Sequence, residues 1–155
     1  MAGSWFAHGA LLLSTGGLDW PDDITAEFII AVLTTSAYVP SKANDQYLSD
    51  ISHELVDGVA GYERLVLTSG TATIITDGGN TYILLDAADL VWHLATFTAR
   101  NLIIAKLGTT DADSPVLCYH VFKNDSTGLP EDKTGGGDDF TYKFTATGGV
   151  ARLKC

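Results

Sequence analysis

The sequence predicts a mainly β fold, an antiparallel β-sandwich or barrel-like domain with one or two short helices. Three observations carry that expectation. Short apolar runs rich in β-branched and aromatic residues recur between Thr81 and Val121, broken by Asp, Gly, Thr, Ser and Pro clusters, which is the pattern of buried strands joined by turns. Residues 140–146 alternate strictly, with Phe140, Tyr142 and Phe144 on one side and Thr141, Lys143 and Thr145 on the other, as in a strand on a sheet with one wet face. In residues 96–105, Phe97 and Ala99 turn inward while Thr96, Thr98 and Arg100 face water, and from Leu102 to Ala105 both sides become apolar. A strand buried on two faces needs a second layer, either another sheet or helices.

The chain totals bound the rest. At 155 residues, a single domain can bury its own core without disulfides. Residues 1–17 read as an apolar N-terminal arm or docked segment, and residues 18–155 as one β-rich domain with a mobile loop at 123–139. Asp and Glu number 19 against 9 Lys and Arg, a formal net charge of −10. Such a surface repels phosphate backbones and anionic lipid, so neither nucleic acid nor membrane is an expected partner. No run approaches the roughly 18 apolar residues that cross a bilayer. No Lys or Arg precedes the apolar start, as it would in a signal peptide, so the chain reads as made and kept in the cytoplasm. Cys118 and Cys155 do not form a framework. Cys118 sits mid-strand as a small buried hydrophobe, and nothing in the spacing asks for a bridge to the terminal Cys155.

In chain order, residues 4–15 hold too few polar positions for a solvated tail. Trp5, Phe6, Leu11, Leu12 and Leu13 either dock on the domain's own core as a short helix or strand, the favoured reading, or pack on a neighbouring subunit as interface residues. Gly16 and Gly17 end that segment, and residues 19–23 form a turn around Pro21. Residues 27–33 are a continuous apolar run suited to a central strand. Residues 34–44 form a loop through Pro40. Residues 45–56 place Leu48, Ile51 and Leu55 at helical spacing, after Asn44 or Asp45 as N-cap and before Asp57-Gly58 as stop, which predicts a helix. Residues 64–68 and 72–76 are strands split by Ser69-Gly70, read as a hairpin, and residues 77–80 are a second turn of that kind. Beyond the central stretch, residues 123–139 are polar and Gly-rich. Gly148-Gly149 then turn the chain into a closing strand at 150–154, and no internal repeat is present.

The chain offers little for catalysis. His8, His53, His93 and His120 fall in four different elements without metal-ligand spacing. His120 shares a sheet face with Cys118, but such positions lie about 7 Å apart by strand rise. That is too far for a nucleophile and its base, so His120 is expected to pack and make one hydrogen bond. Asp111-Ala-Asp113 lacks the Gly and distal Glu of an EF-hand loop, and both it and Asp138-Asp139 read as solvated turn acids. Gly135-Gly136-Gly137 precedes a strand and lacks the Lys of a phosphate-binding loop. No catalytic, cofactor or metal site is expected, and the chain does not read as an enzyme. Trp20, Tyr38 and Trp92 could face outward as a carbohydrate platform or inward as core.

Several blocks in order carry a resemblance: Leu33-Thr-Thr-Ser-Ala-Tyr-Val-Pro40, then Asp50, Ile51 and Glu54, Gly61-Tyr62, Leu85-Asp-Ala-Ala-Asp-Leu-Val-Trp92 and Ala95-Thr-Phe-Thr-Ala-Arg100. Over roughly residues 18–122 the chain resembles a family of small virion structural proteins of tailed bacteriophages. It departs from that pattern at Glu63-Arg64-Leu65, at Asn101, where the family has an aromatic, and in a longer 123–139 loop. The resemblance implies a non-enzymatic virion component. The first expectation within it is a capsid decoration (cement) protein on the exterior of the head, bound to the major capsid protein and self-associating, with a trimer on local threefold axes as the form suggested by analogy. A tail, head-tail adaptor or fibre component is the alternative.

Overall fold

The computed structural model describes residues 3–20 and 22–155. Pro21, the expected pivot of the 19–23 turn, lies outside the described residues. The central strands are β2 (Ile29–Thr34), β8 (Asn101–Lys106) and β9 (Val116–Val121), antiparallel neighbours whose residues are almost all buried. β1 (Ser4–Trp5) closes this sheet beside β9, and β3 (Leu65–Val66) closes it beside β2. A three-stranded sheet follows the order β12 (Ala151–Lys154), β5 (Asn80–Asp86), β4 (Thr71–Asp77). Two ribbons, β6 (Leu90–Trp92) with β11 (Phe140–Tyr142) and β7 (Thr98–Ala99) with β10 (Lys133–Thr134), complete the pairing. The fold is mainly β, its strand ladders are antiparallel, and among the described residues no sheet closes into a barrel.

Alternation sends neighbouring side chains of the central sheet to opposite covers. Ile29, Ala31, Leu33, Leu102 and Ile104 enter a core with Leu85, Leu90, Trp92, Phe97 and Ala151, supplied by the three-stranded sheet and the ribbons. Ile30, Val32, Ile103 and Ala105 pack on the other side against Phe6, Tyr38 and Leu48. The double cover that residues 102–105 demanded is therefore a sheet-on-sheet sandwich on one face and loop and N-terminal side chains on the other. A bulge at Ile104/Ala105 pairs them with Cys118 and Val116, so Leu117 is the extra residue and joins Cys118 in the larger core.

The N-terminal segment docks on its own chain. β1 pairs with β9, the Phe6 N–H donates to Leu117 O at 3.0 Å, and α1 (Ala7–Thr15) lies across β9. Gly9 makes that approach possible, because a Cβ there would sit 2.3 Å from Leu117 O. The second helix, α2 (Asp22–Thr25), is a single turn whose Asp23 carboxylate bonds Lys106 at 2.9 Å.

Two expectations are corrected. Residues 45–56 are not a helix; only Leu48–Asp50 form a 3-10 turn. A helix would send Leu48, Ile51 and Leu55 to one face, whereas Leu48 and Ile51 serve one core and Leu55 the other. The backbone finds better partners elsewhere: Leu48 N–H reaches Ser114 O at 2.8 Å, Leu55 N–H reaches Leu33 O at 3.0 Å, and the Asp50 carboxylate takes the Gln46 and Tyr47 N–H groups at 2.9 Å. Ser69-Gly70 does not close a hairpin either. With Ser69 at φ 55°, it carries the chain from β3 on the large sheet to β4 on the small one, because buried Leu67 is bonded to Ile29 O at 2.8 Å. The Asp77–Asn80 turn is a hairpin, with Gly78 and Gly79 both at positive φ, the geometry that matches strand twist. The 123–139 segment holds β10 and a small turn in which Asn124 N–H bonds Leu129 O at 2.9 Å.

Asn101 is buried at the start of β8. Its amide donates to Thr34 Oγ1 at 3.0 Å and Tyr38 O at 3.1 Å, tying the 34–44 loop to the sheet. Asn101→Ala leaves these acceptors buried without a donor and should destabilise the fold by about 2–3 kcal/mol, read as a lower urea midpoint at unchanged slope.

Candidate interaction surface

The buried histidine is structural. His120 Nε2–H donates to Val150 O at 2.7 Å and its Nδ1 accepts the Tyr142 hydroxyl at 2.8 Å, so it makes two hydrogen bonds rather than the expected one. Tyr142 and Phe144 pack their rings edge-on against it. Burial pulls its pKa down to about 4, and the same burial raises those of the Tyr142 hydroxyl and the Cys118 thiol. Cys118 and Cys155 are both free, the first buried and the second exposed. His8 packs at a tilt beside Tyr47, His53 contacts Ser52, and His93 pairs with Asp139 at 2.9 Å. Among the described residues no three His, Cys, Asp or Glu side chains gather as metal ligands. Asp111 pairs with Arg64, and Asp113 caps its own turn through the Thr110 N–H.

Trp20, Tyr38 and Trp92 are all buried. Trp20 Nε1 donates to Thr71 O at 3.0 Å and Trp92 Nε1 to Glu63 O at 2.8 Å, so these rings offer no outer platform. An open groove of about 350 Å³ runs between the end of β9 and β11, lined by Phe122, Lys123, Lys133, Phe140 and Tyr142. Its aromatic members also belong to or pack against the main core.

The most distinctive surface is the end of the molecule formed by residues 56–61 and 93–96. Gly58, Ala60 and Gly61 have positive φ, as does Leu94 at φ 51°. Gly61 lies so near the second loop that a Cβ would fall 2.7 Å from His93 O, and Thr96 N–H donates to Ala60 O at 2.9 Å. A leucine in left-handed backbone is uncommon and costs energy. These joined loops hold Leu94 74%, Val56 68% and Val59 55% exposed. Apolar side chains held outward on strained loops are suited to burial on a partner protein.

Charged and aromatic side chains fix this end to the core. Tyr62 is buried beneath it, donating its hydroxyl to Glu54 Oε1 at 2.7 Å and accepting Leu33 N–H at 3.3 Å. Arg64 forks to both Glu54 oxygens, at 2.6 and 2.8 Å, and to both Asp111 oxygens, at 2.7 and 2.9 Å. That pairing holds the Asp111 carboxyl below the usual range.

Of the five N-terminal interface candidates, Phe6 is fully buried and Trp5 is half-buried with its Nε1 bonded to Arg152 O at 3.1 Å. Leu12 and Leu13 are partly covered by the main core, and Leu11 is exposed. Val56, Val59 and Leu94 escaped the sequence reading because they sat in a supposed helix end and turns; the Gly58 and Gly61 spacing was the one available signal.

Against protein-family models, curated proteins and solved structures, the chain finds no match.

The His120 environment sets a pH dependence. The unfolded histidine binds its proton near its ordinary value of 6.5 and the folded one only near 4, so the unfolded state takes up the proton first as pH falls. Stability from this group is complete above 6.5 and declines toward pH 4, by about 3 kcal/mol. His120→Gln should flatten the fall in urea midpoint between pH 6.5 and 4.5.

Proposed function

We propose that this chain is a non-enzymatic virion component, a bacteriophage capsid decoration protein that binds the outer surface of the major capsid protein lattice and stabilises the head. The observation carrying the reading is the exposed apolar end formed by Val56, Val59 and Leu94 on two loops joined by a backbone hydrogen bond, which suits docking on a neighbouring protein. It is supported by the resemblance through 33–40, 85–92 and 95–100. The net charge of −10 is also suited to the exterior of a head, since packaged DNA would repel it.

Docking would cover the exposed valines and leucine, with the Thr96 N–H to Ala60 O bond holding the two loops together and the Arg64 cluster bracing Glu54 ahead of the first. A partner of this kind presents an apolar shelf rimmed by cationic groups, because Asp57 and Glu63 flank the loop end.

Quantitative mass spectrometry of purified particles tests the assignment. Copies on the order of hundreds, spread over the shell, are expected of a decoration protein. A few copies at a single vertex would select a tail or head-tail adaptor component instead, and absence from the particle would overturn both. Val59→Asp and Leu94→Asp should each lower head occupancy about tenfold or more, with the thermal midpoint of the free protein close to wild type because both side chains lie outside the core.

A further inference from the structure

We infer that β4 is a self-association edge, pairing antiparallel with β4 of a second copy about a two-fold axis at Ile74. This stands on strand geometry alone and does not rest on the virion assignment.

The direction of the backbone groups comes first. Cys155 N–H donates to Thr81 O at 3.0 Å, so the odd residues of β5 bond toward β12. Backbone groups alternate along a strand, so Tyr82 and Leu84 bond toward β4, where their partners are Ile75 and Thr73. Ala72, Ile74 and Thr76 consequently turn their N–H and C=O groups outward, and β4 is the last strand of its sheet.

A sheet edge of this kind is ordinarily shortened or charged to prevent pairing. The other edges here follow that rule: β1, β3 and β10 have two residues each, β11 has three, and β12 carries Arg152 and Lys154. β4 has seven residues, Thr-Ala-Thr-Ile-Ile-Thr-Asp, with neither Lys, Arg nor Pro. Its one charge, Asp77, is already paired with Arg152 at 2.7 Å. In a chain of net charge −10, this edge, whose one charge is already paired, can meet a copy of itself with little like-charge repulsion.

The side chains fit the same partner. Ile74 stands opposite Ile83, and Ile83 opposite Leu153, one apolar row across the sheet with exposures of 76%, 37% and 39%. Centring the pairing on Ile74 places it opposite the second copy's Ile74 and Ala72 opposite the second copy's Thr76, with backbone bonds exchanged at each pair. The row then continues unbroken through both copies, and two three-stranded sheets become one.

Sedimentation equilibrium at concentrations up to about 100 µM, well above a micromolar dissociation constant, should show a dimer. Ile74→Lys should weaken it at least tenfold while retaining the wild-type monomer fold by circular dichroism, because the side chain is exposed. Ile74→Cys combined with Cys155→Ser should oxidise to a covalent dimer, since paired Cα atoms about 5.5 Å apart lie within disulfide range. A monomer throughout the range, a trimer, a dimer insensitive to Ile74→Lys, or failure of the cross-link would each overturn the pairing.

Discussion

Burial of β2, β8 and β9 on both faces is the constraint from which the architecture follows. One sheet of side chains reaches the sandwich core around Trp92 and Phe97, and the other reaches Phe6, Tyr38 and Leu48. Neither cover can be omitted without exposing a row of Ile, Leu and Val at about 25 cal/mol per Å² of apolar surface. Phe6 of the N-terminal segment and the 35–51 loop are held in place because they supply the second cover. Gly9 allows α1 to meet the β9 backbone, and the bulge at Leu117 adjusts which residues of β9 meet which core.

Buried polar groups fasten these covers in a defined orientation. Asn101 attaches the 34–44 loop, His120 joins the β9 strand to Val150 and Tyr142, and Tyr62 with Glu54 and Arg64 anchors the loop end. Asn101 and His120 bond partners remote in sequence, and the Tyr62, Glu54 and Arg64 group reaches remote Leu33 and Asp111, so the fasteners are complete only when the sheets are assembled. The same logic separates the two exposed apolar features. The Val56, Val59 and Leu94 end is loop-borne, suited to a foreign surface, while the Ile74 row is strand-borne and repeats its own geometry.

Strands with a strong pattern were legible directly: residues 97–105, 116–121 and 140–144 have the facing expected of them, and the apolar run at 27–33 becomes a buried strand from Ile29 onward, with Glu27 and Phe28 exposed ahead of it. The supposed helix at 45–56 was not, because the spacing of Leu48, Ile51 and Leu55 fits a helix equally well when the residues serve two separate cores. Ser69-Gly70 looked like a hairpin because local turn chemistry cannot tell a return to the same sheet from a passage to another. The candidate surface was less legible still, since Val56, Val59 and Leu94 are ordinary apolar residues until two loops distant in sequence hold them outward.

The sequence by itself determined the β class, the two-faced burial of the centre and the acidic charge, because alternation, apolar run length and composition are local or additive properties. Only the tertiary structure decided which sheet each strand joined, that Ser4 and Trp5 pair with β9, and which apolar groups were left exposed. Those outcomes depend on competition among distant backbone and side-chain groups for the same places in the core, and no window of sequence contains both competitors.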